Sequence, residues 1–202
     1  RVKNISRTRW FITFIDDHSR VCWVYLLKDK SDAASIFKIF HAMIQTQFQV
    51  AIQILRTDNG KEYFNSILGE YLSQHRILHQ SSCPDTPQQN GVAERKNRHL
   101  LEIARALMFT MNVPKYLWGE VVLTASYLIN RMPSRTLKFQ SPLSSLLCTF
   151  PSFQGISSLP PKLFGCIVFV HIPSHQRSKL DPKSLRCVFI GIVAINAIHP
   201  LC

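Results

Sequence analysis

Leu55-Arg56-Thr57-Asp58-Asn59-Gly60 closes an apolar run that begins at Val50, and Pro87-Gln88-Gln89-Asn90-Gly91-Val92-Ala93-Glu94-Arg95-Lys96-Asn97-Arg98 opens a long helical pattern; 35 residues separate Asp58 from Glu94. The run Val50–Leu55 reads as a strand, which places Asp58 at its carboxyl end. In parallel sheets ligands gather at that end. Read alone, Asp58-Asn59-Gly60 is also a hairpin signal, because Asn-Gly tolerates positive φ. Glu94, four residues before Arg98, equally fits an ordinary surface helix pair, worth only about 0.2–0.5 kcal/mol.

Working outward, Trp10–Ile15 and Val21–Leu27 are rich in aromatic and β-branched residues and flank the polar Asp16-Asp17-His18-Ser19-Arg20. This is a β-hairpin pattern. Ser31 or Asp32 can cap a helix whose apolar residues Ile36, Phe37, Phe40, Met43, Ile44 and Phe48 recur at helical steps. After Val50–Leu55 comes a shorter helical pattern through Ile67, Leu68, Tyr71, Leu72 and His75, and then the apolar Ile77-Leu78. A helix between two strands implies a parallel crossover. Residues 81–91 hold two prolines and several turn formers and read as a functional loop. Leu100, Ile103, Ala104, Leu107, Met108 and Met111 mark one helix, and Tyr116 to Asn130 a second, expected to pack against it. Residues 134–161 change to prolines, serines and short apolar clusters, with one helical turn at Pro142–Leu147. Beyond them, Cys166–Val170 and Arg186–Val193 read as strands around a basic loop.

The chain has 202 residues, 46% of them apolar, enough for one sizeable core and an appendage. Its 24 Lys and Arg against 12 Asp and Glu give a net charge of +12, with a pI near 9.8. That balance favours a polyanionic partner, nucleic acid foremost. A membrane surface is disfavoured, for there is no long apolar run, basic amphipathic anchor or signal pattern. The six cysteines, Cys22, Cys83, Cys148, Cys166, Cys187 and Cys202, show no zinc-ligand spacing and are expected as reduced thiols, mostly in the core. Histidines such as His75 and His171 are expected to be structural.

A carboxylate pair in so basic a chain points to a hard cation. Mg²⁺ takes oxygen ligands and is often held by one or two carboxylates plus substrate phosphates. Two such ions would activate the attacking oxygen and stabilise the leaving one in phosphoryl transfer. Arg95, Lys96 and Arg98 could hold phosphates from the helix that carries Glu94.

The segments FITFIDDHSR (11–20), LRTDNGKEYF (55–64), HQSSCPDTPQQNGVAERKNRHLLE (79–102) and LFGCIVFVHIPSHQRSKLDPKSLRCVFIG (163–191) closely resemble the integrase region of Copia-type LTR retrotransposon polyproteins. The resemblance implies an α/β fold: a ribonuclease H-like mixed sheet of five strands flanked by helices, its metal bound by two aspartates and a glutamate, with a small SH3-like β module following. It implies domains at 1–133 and 161–202 joined by a linker at 134–160. Asp58 becomes the second acidic ligand and Glu94 the third, for Mg²⁺ or Mn²⁺. Asn59, Pro87, Gln89, Asn90, Gly91, Arg95, Lys96 and Arg98 become DNA contacts, with 87–91 as a flexible catalytic loop. It also replaces the hairpin at Asp58 with a strand running into a helix.

DNA, a homo-oligomer through the core, and a nuclear or virus-like-particle setting are implied as well. The family's first aspartate lies on a first strand ahead of the segment equivalent to Arg9–Ile15, so that strand and ligand, along with the preceding zinc module, are expected to be absent from this chain; no zinc is expected. Asp16 and Asp17 are poor substitutes: at about 3.3 Å per residue, a six-residue strand sets Asp16 some 20 Å from the metal end. An Asx-type turn is the expected role there. The apolar tail from Ile192 departs from the family's continuation, which implies a frameshift or a shortened gene and an incomplete β module. The expected activity is DNA strand transfer, lost here for want of the first aspartate; the alternatives are a non-catalytic DNA-binding relic or host-adopted protein, and, third, ribonuclease H activity.

Overall fold

The aromatic and β-branched segments at the start of the chain form an antiparallel hairpin of β1 (Trp10–Ile15) and β2 (Cys22–Leu27), in register from Trp10 opposite Leu27 to Ile15 opposite Cys22. This is seen in a computed structural model that describes residues 2–58, 60–81, 91–153 and 164–191. The connecting turn is built by Asp16. Its Oδ2 accepts from the Ser19 amide at 2.7 Å and the Ser19 hydroxyl at 2.6 Å, while Asp17 pairs with Arg20 at 2.6 Å. Both aspartates thus serve the turn, as expected of an Asx-type arrangement.

Strand alternation sends the hairpin's two faces to different partners. Trp10, Ile12, Phe14, Trp23, Tyr25 and Leu27 face one core; Phe11 and Val24 face the other. On the first face lies α1 (Ala33–Phe48), which buries Phe37, Phe40, Met43, Ile44 and Phe48. Phe14 stacks on Phe40 with centroids 4.3 Å apart, and Trp23 lies 5.4 Å from Phe40 and 6.5 Å from Phe48. Burying each such side chain contributes about 1.5–3 kcal/mol. The helix has Asp32 at its amino end, but that carboxylate turns back to accept from the Asp29 amide at 3.0 Å instead of capping.

Next come β3 (Ile54–Thr57), α2 (Ser66–Gln74) and β4 (Leu78–Ser81), with β3 and β4 parallel and Ile54 opposite Leu78. The crossover is as expected, but the strand starts four residues later than the apolar run. Only the residues opposite β4 have a ladder partner. At Asp58 the chain passes from strand into a 3-10 turn (Lys61–Tyr63) and then α2, whose amino end Asn65 caps by accepting from Leu68 at 2.8 Å. The two-residue hairpin reading is therefore excluded.

On the hairpin's other face, α3 (Gly91–Thr110) and α4 (Trp118–Ile129) pack together. Leu100, Ala104, Val121, Val122, Ala125 and Ile129 form that core, joined by Phe164. The Asn130 side chain accepts from the Cys22 amide at 2.9 Å and donates to the Cys22 carbonyl at 2.8 Å, closing the end of β2. At the other end of β2, Gly119 gives α4 a close approach: a Cβ there would lie 2.5 Å from Asn4 Nδ2 and 2.8 Å from Leu26 Cδ1, and both side chains would have to move.

Residues 134–160, expected as a linker, contain α5 (Pro142–Thr149), capped by Ser141. Leu146 and Phe153 are buried in the first core, and Phe153 stacks on Phe48 at 4.5 Å. Beyond it, β5 (Ile167–His171) and β6 (Ser184–Val188) form an antiparallel hairpin flanked by Phe164 and Ile190, which pack on the second core.

Helices on both faces of a sheet give the α/β layering expected. The expected five-stranded sheet differs: the described residues form three separate two-stranded pairs, with no strand joining β1 to β3. Of the four cysteines described, all free, only Cys22 is buried and Cys148 is exposed, which corrects the core assignment. The reason is location: Cys148 falls on the outer side of α5. Asn130→Ala should remove both bonds to the Cys22 backbone and lower stability by about 1–3 kcal/mol in urea melts. Leu100→Ala, at a fully buried position, should cost about 2–5 kcal/mol in the same measurement.

Candidate metal centre

Asp58 stands exposed just past the end of β3, and the residue before it, Thr57, is buried. The Thr57 hydroxyl lies 2.9 Å from His79 Nε2 on β4. Burial pushes the His79 imidazole below its ordinary value, so it stays neutral there. The strand end carrying Asp58 is thereby fixed by a neighbouring strand. Asp58 Oδ1 also accepts from the Gly60 amide at 3.1 Å.

A second carboxylate shares this corner. A Cβ on Gly60 would lie 3.0 Å from both Asp58 Oδ1 and Glu62 Oε2, so both carboxylates border the same glycine. Tyr63 beside them is pushed up to about 12, first by burial and then by Asp58 and Glu62. Glu62 also meets Lys30 at 3.5 Å.

Glu94 lies exposed in the first turn of α3 and, among the described residues, forms no ion pair with Arg98. An acidic residue suits a helix's amino end. The helix is fixed to β1 by the Thr13 hydroxyl donating to Asn97 Oδ1 at 3.0 Å. Arg95 and Arg98 are exposed, whereas Lys96 is half-buried beside Cys22 and Arg20. Burial lowers the Lys96 pKa, and burial raises the Cys22 thiol to about 11. Gly91 is the first residue of α3, and a Cβ on it would lie 3.2 Å from the Arg95 guanidinium. Asn59, Pro87, Gln89 and Asn90 lie outside the described residues.

One cleft is lined by residues near both carboxylates in sequence, though by neither carboxylate itself. Of about 520 Å³, it is lined by residues 13–17 at the end of β1, residues 50–56 leading into and along β3, Val92 and Ala93 just before Glu94, and aromatic rings of the first core. Among the described residues no three His, Cys, Asp or Glu side chains are grouped to hold a metal. Glu62, His79, Thr13 and Asn97 were not singled out by sequence. Glu62 carried a signal in its place four residues after Asp58; the others depend on which strands and helices become neighbours.

The integrase core domain family matches residues 1–87, and the retroviral polymerase SH3-like domain family matches residues 166–196. The Pol polyprotein of transposon TNT 1-94 from Nicotiana tabacum is 43% identical over 190 residues, 94% of this chain. The chain belongs to the integrase region of Copia-type retrotransposon polyproteins. The Pol polyprotein of transposon RE2 from Arabidopsis thaliana is 38% identical over 94% of the chain. The chain spans only 14% and 13% of these two relatives' lengths. In structure it is similar to the HTLV-2 integrase catalytic core domain, solved in complex with magnesium in a trimeric form. The TM-score is 0.50 at 16% identity, covering 65% of this chain and 80% of that one. The fold is the ribonuclease H-like fold of integrase cores. No helix among the described residues is long and apolar enough to cross a membrane.

Two histidines, the buried His41 and the half-buried His79, make stability pH-dependent. His41, hydrogen-bonded to the Tyr71 hydroxyl at 2.9 Å, and His79 are both lowered by burial. The unfolded chain takes up protons at the ordinary value near 6.5. Their contribution is therefore complete above that pH and lost as pH falls toward the folded values. Urea melts should show stability dropping between pH 7.5 and 5.5, less steeply in His79→Gln. Native thiol labelling with iodoacetamide should modify Cys148 and leave Cys22 unreacted until the chain is unfolded.

Proposed function

We propose that this chain carries two of the carboxylates, Asp58 and Glu94, of a metal-dependent DNA strand-transfer centre. The observation that supports it most is their placement in an integrase-core fold, Asp58 just past the carboxyl end of β3 and Glu94 in the first turn of α3. Both are exposed carboxylates, an oxygen donor set suited to Mg²⁺ or Mn²⁺. When bound, such ions polarise the scissile phosphate and lower the pKa of an attacking hydroxyl. Asp58 and Glu94 would hold the ions, with Glu62 beside Asp58 adding negative potential. Arg95 and Arg98 are placed to meet phosphate oxygens, and Lys96 to hold α3 against the end of the hairpin. Asn59, Pro87, Gln89, Asn90 and Gly91 complete the proposed DNA contacts. A division into a core within 1–133, a connection at 134–160 and a β module at 161–202 belongs to the same reading, as do self-association through the core and a setting in the nucleus or a virus-like particle.

Among the described residues no three His, Cys, Asp or Glu side chains are grouped to hold a metal, and the chain by itself should transfer strands little or not at all. The test is a Mn²⁺-dependent strand-transfer assay on the 202-residue chain. No turnover above that of Asp58→Asn is expected; robust turnover abolished by Asp58→Asn would overturn the claim of inactivity.

The net charge of +12 and the exposed Arg95 and Arg98 favour a second reading, DNA binding without catalysis. Binding should weaken steeply with salt, by roughly one unit of log–log slope per phosphate contact. It should survive Asp58→Asn and Glu94→Gln and weaken in the Arg95→Ala/Arg98→Ala double variant. Absence of binding at low salt would dispose of it.

A further inference from the structure

Beyond α4, the segment Ser134-Arg135-Thr136-Leu137-Lys138-Phe139-Gln140 closes on itself through its own backbone. The Ser134 amide donates to the Gln140 carbonyl at 3.0 Å, the amides of Leu137 and Phe139 donate to the Ser134 carbonyl at 3.1 and 2.9 Å, and the Gln140 amide donates to Leu137 at 3.0 Å. Its exit is tied back where the Leu143 amide donates to the Asn130 carbonyl at 2.8 Å. The loop is therefore fixed at both ends and across its middle.

Two adjacent residues of this loop are left-handed, Lys138 at φ 52° and Phe139 at φ 66°. That region is uncommon for a residue with a Cβ and an outlier for a bulky one. Such conformations persist only where surrounding bonds over-determine them, and they gather at binding sites. What this one delivers is exposure: Phe139 keeps 72% of its surface open, while Leu137 of the same loop is half-buried. Arg135 and Lys138 beside the ring are exposed as well. No Asp or Glu occurs between Glu120 and Asp181, so nothing in this stretch of chain offsets the two cations.

The loop leaves α4 at Asn130, which holds both backbone groups of Cys22, and Lys96, two residues after Glu94, lies beside Cys22. Its root and the first turn of α3 thus share one end of the molecule.

We propose that this loop is a binding site for single-stranded nucleic acid, in which the Phe139 ring stacks on an unpaired base while Arg135 and Lys138 meet the flanking phosphates. Every base has a π-face, so an aromatic ring set between cations binds a strand with little regard to its sequence. Inside a duplex those faces are already stacked, and the site therefore favours unpaired bases. This goes beyond the salt-dependent DNA binding inferred above, because it assigns base stacking to a residue remote in sequence from Arg95 and Arg98. It needs neither Asp58 nor Glu94.

The test measures binding to the 202-residue chain, without divalent metal, by fluorescence anisotropy. The probes are a labelled oligothymidylate of about 16 nucleotides and an abasic strand of equal length, which keeps the phosphates and lacks the bases. The oligothymidylate is expected to bind about five- to tenfold more tightly, and Phe139→Ala to remove that difference without changing the salt slope. Phe139→Trp should keep the preference, with its added indole emission quenched by the oligothymidylate. Arg135→Ala/Lys138→Ala should lower the salt slope by about 0.7 per cation and leave the preference for bases in place. Equal binding of the two strands, an undiminished preference in Phe139→Ala, or no binding at low salt would overturn the proposal. So would an effect of Phe139→Ala confined to phosphatidylserine vesicles, which would make the loop a membrane contact. Arg95→Ala/Arg98→Ala should weaken both strands alike, so this proposal and the DNA-binding reading fail separately.

Discussion

The stacking of α1 on the inner face of the β1–β2 hairpin is the contact on which the other elements depend. Phe40 is in ring contact with Phe14, Trp23 and Tyr25, while Phe37 reaches across to Tyr71 on α2. Aromatic pairs of this kind add about 0.5–1.5 kcal/mol each to what burial alone supplies. More important is what the helix bridges. With β1 and β3 unpaired to one another, α1 and the rings at its carboxyl end are what hold the hairpin to the β3–α2–β4 unit. Phe150 and Phe153 complete that seam by packing on Phe48.

That constraint explains why the candidate site is both well supported and open. Asp58 is fixed from β4 through Thr57 and His79, and Glu94 from β1 through Asn97 and Thr13. Each carboxylate is positioned by its own half of the molecule. Their relation to one another is carried by the aromatic seam instead of a shared sheet. Mg²⁺ demands near-ideal octahedral geometry, so the packing of that seam bears directly on how well the two carboxylates could serve one ion.

Periodicity made much of this legible from the residues. The hairpin, α1 and α3 fall where their apolar spacing places them, and Asp16 and Asp17 form the turn their neighbours suggested. What failed did so where long-range pairing decides. The run Val50–Leu55 is uniformly extended in character, but β4 is opposite only Ile54–Thr57 and so sets the strand's start. Residues 134–160 read as a linker because prolines and serines dominate, yet Ser141 and Pro142 start a helix, and Leu146 on it and Phe150 and Phe153 after it pack into the first core. The pairing of His79 with Thr57 leaves no mark in sequence, because it arises from strand register. Asp58 and Glu94 were identified by motif context; spacing alone fitted a turn and a surface pair equally well.

The central claim is that α1 and its aromatic seam, and not pairing of β1 with β3, hold the hairpin to the β3–α2–β4 unit. Amide hydrogen exchange resolved by residue on the isolated chain tests it most directly. The account predicts that amides of β1 and β3 bonded to β2 and β4 exchange slowly, while the intervening amides exchange orders of magnitude faster. Equal protection of both sets along β1 and β3 would show those edges already paired and would contradict it.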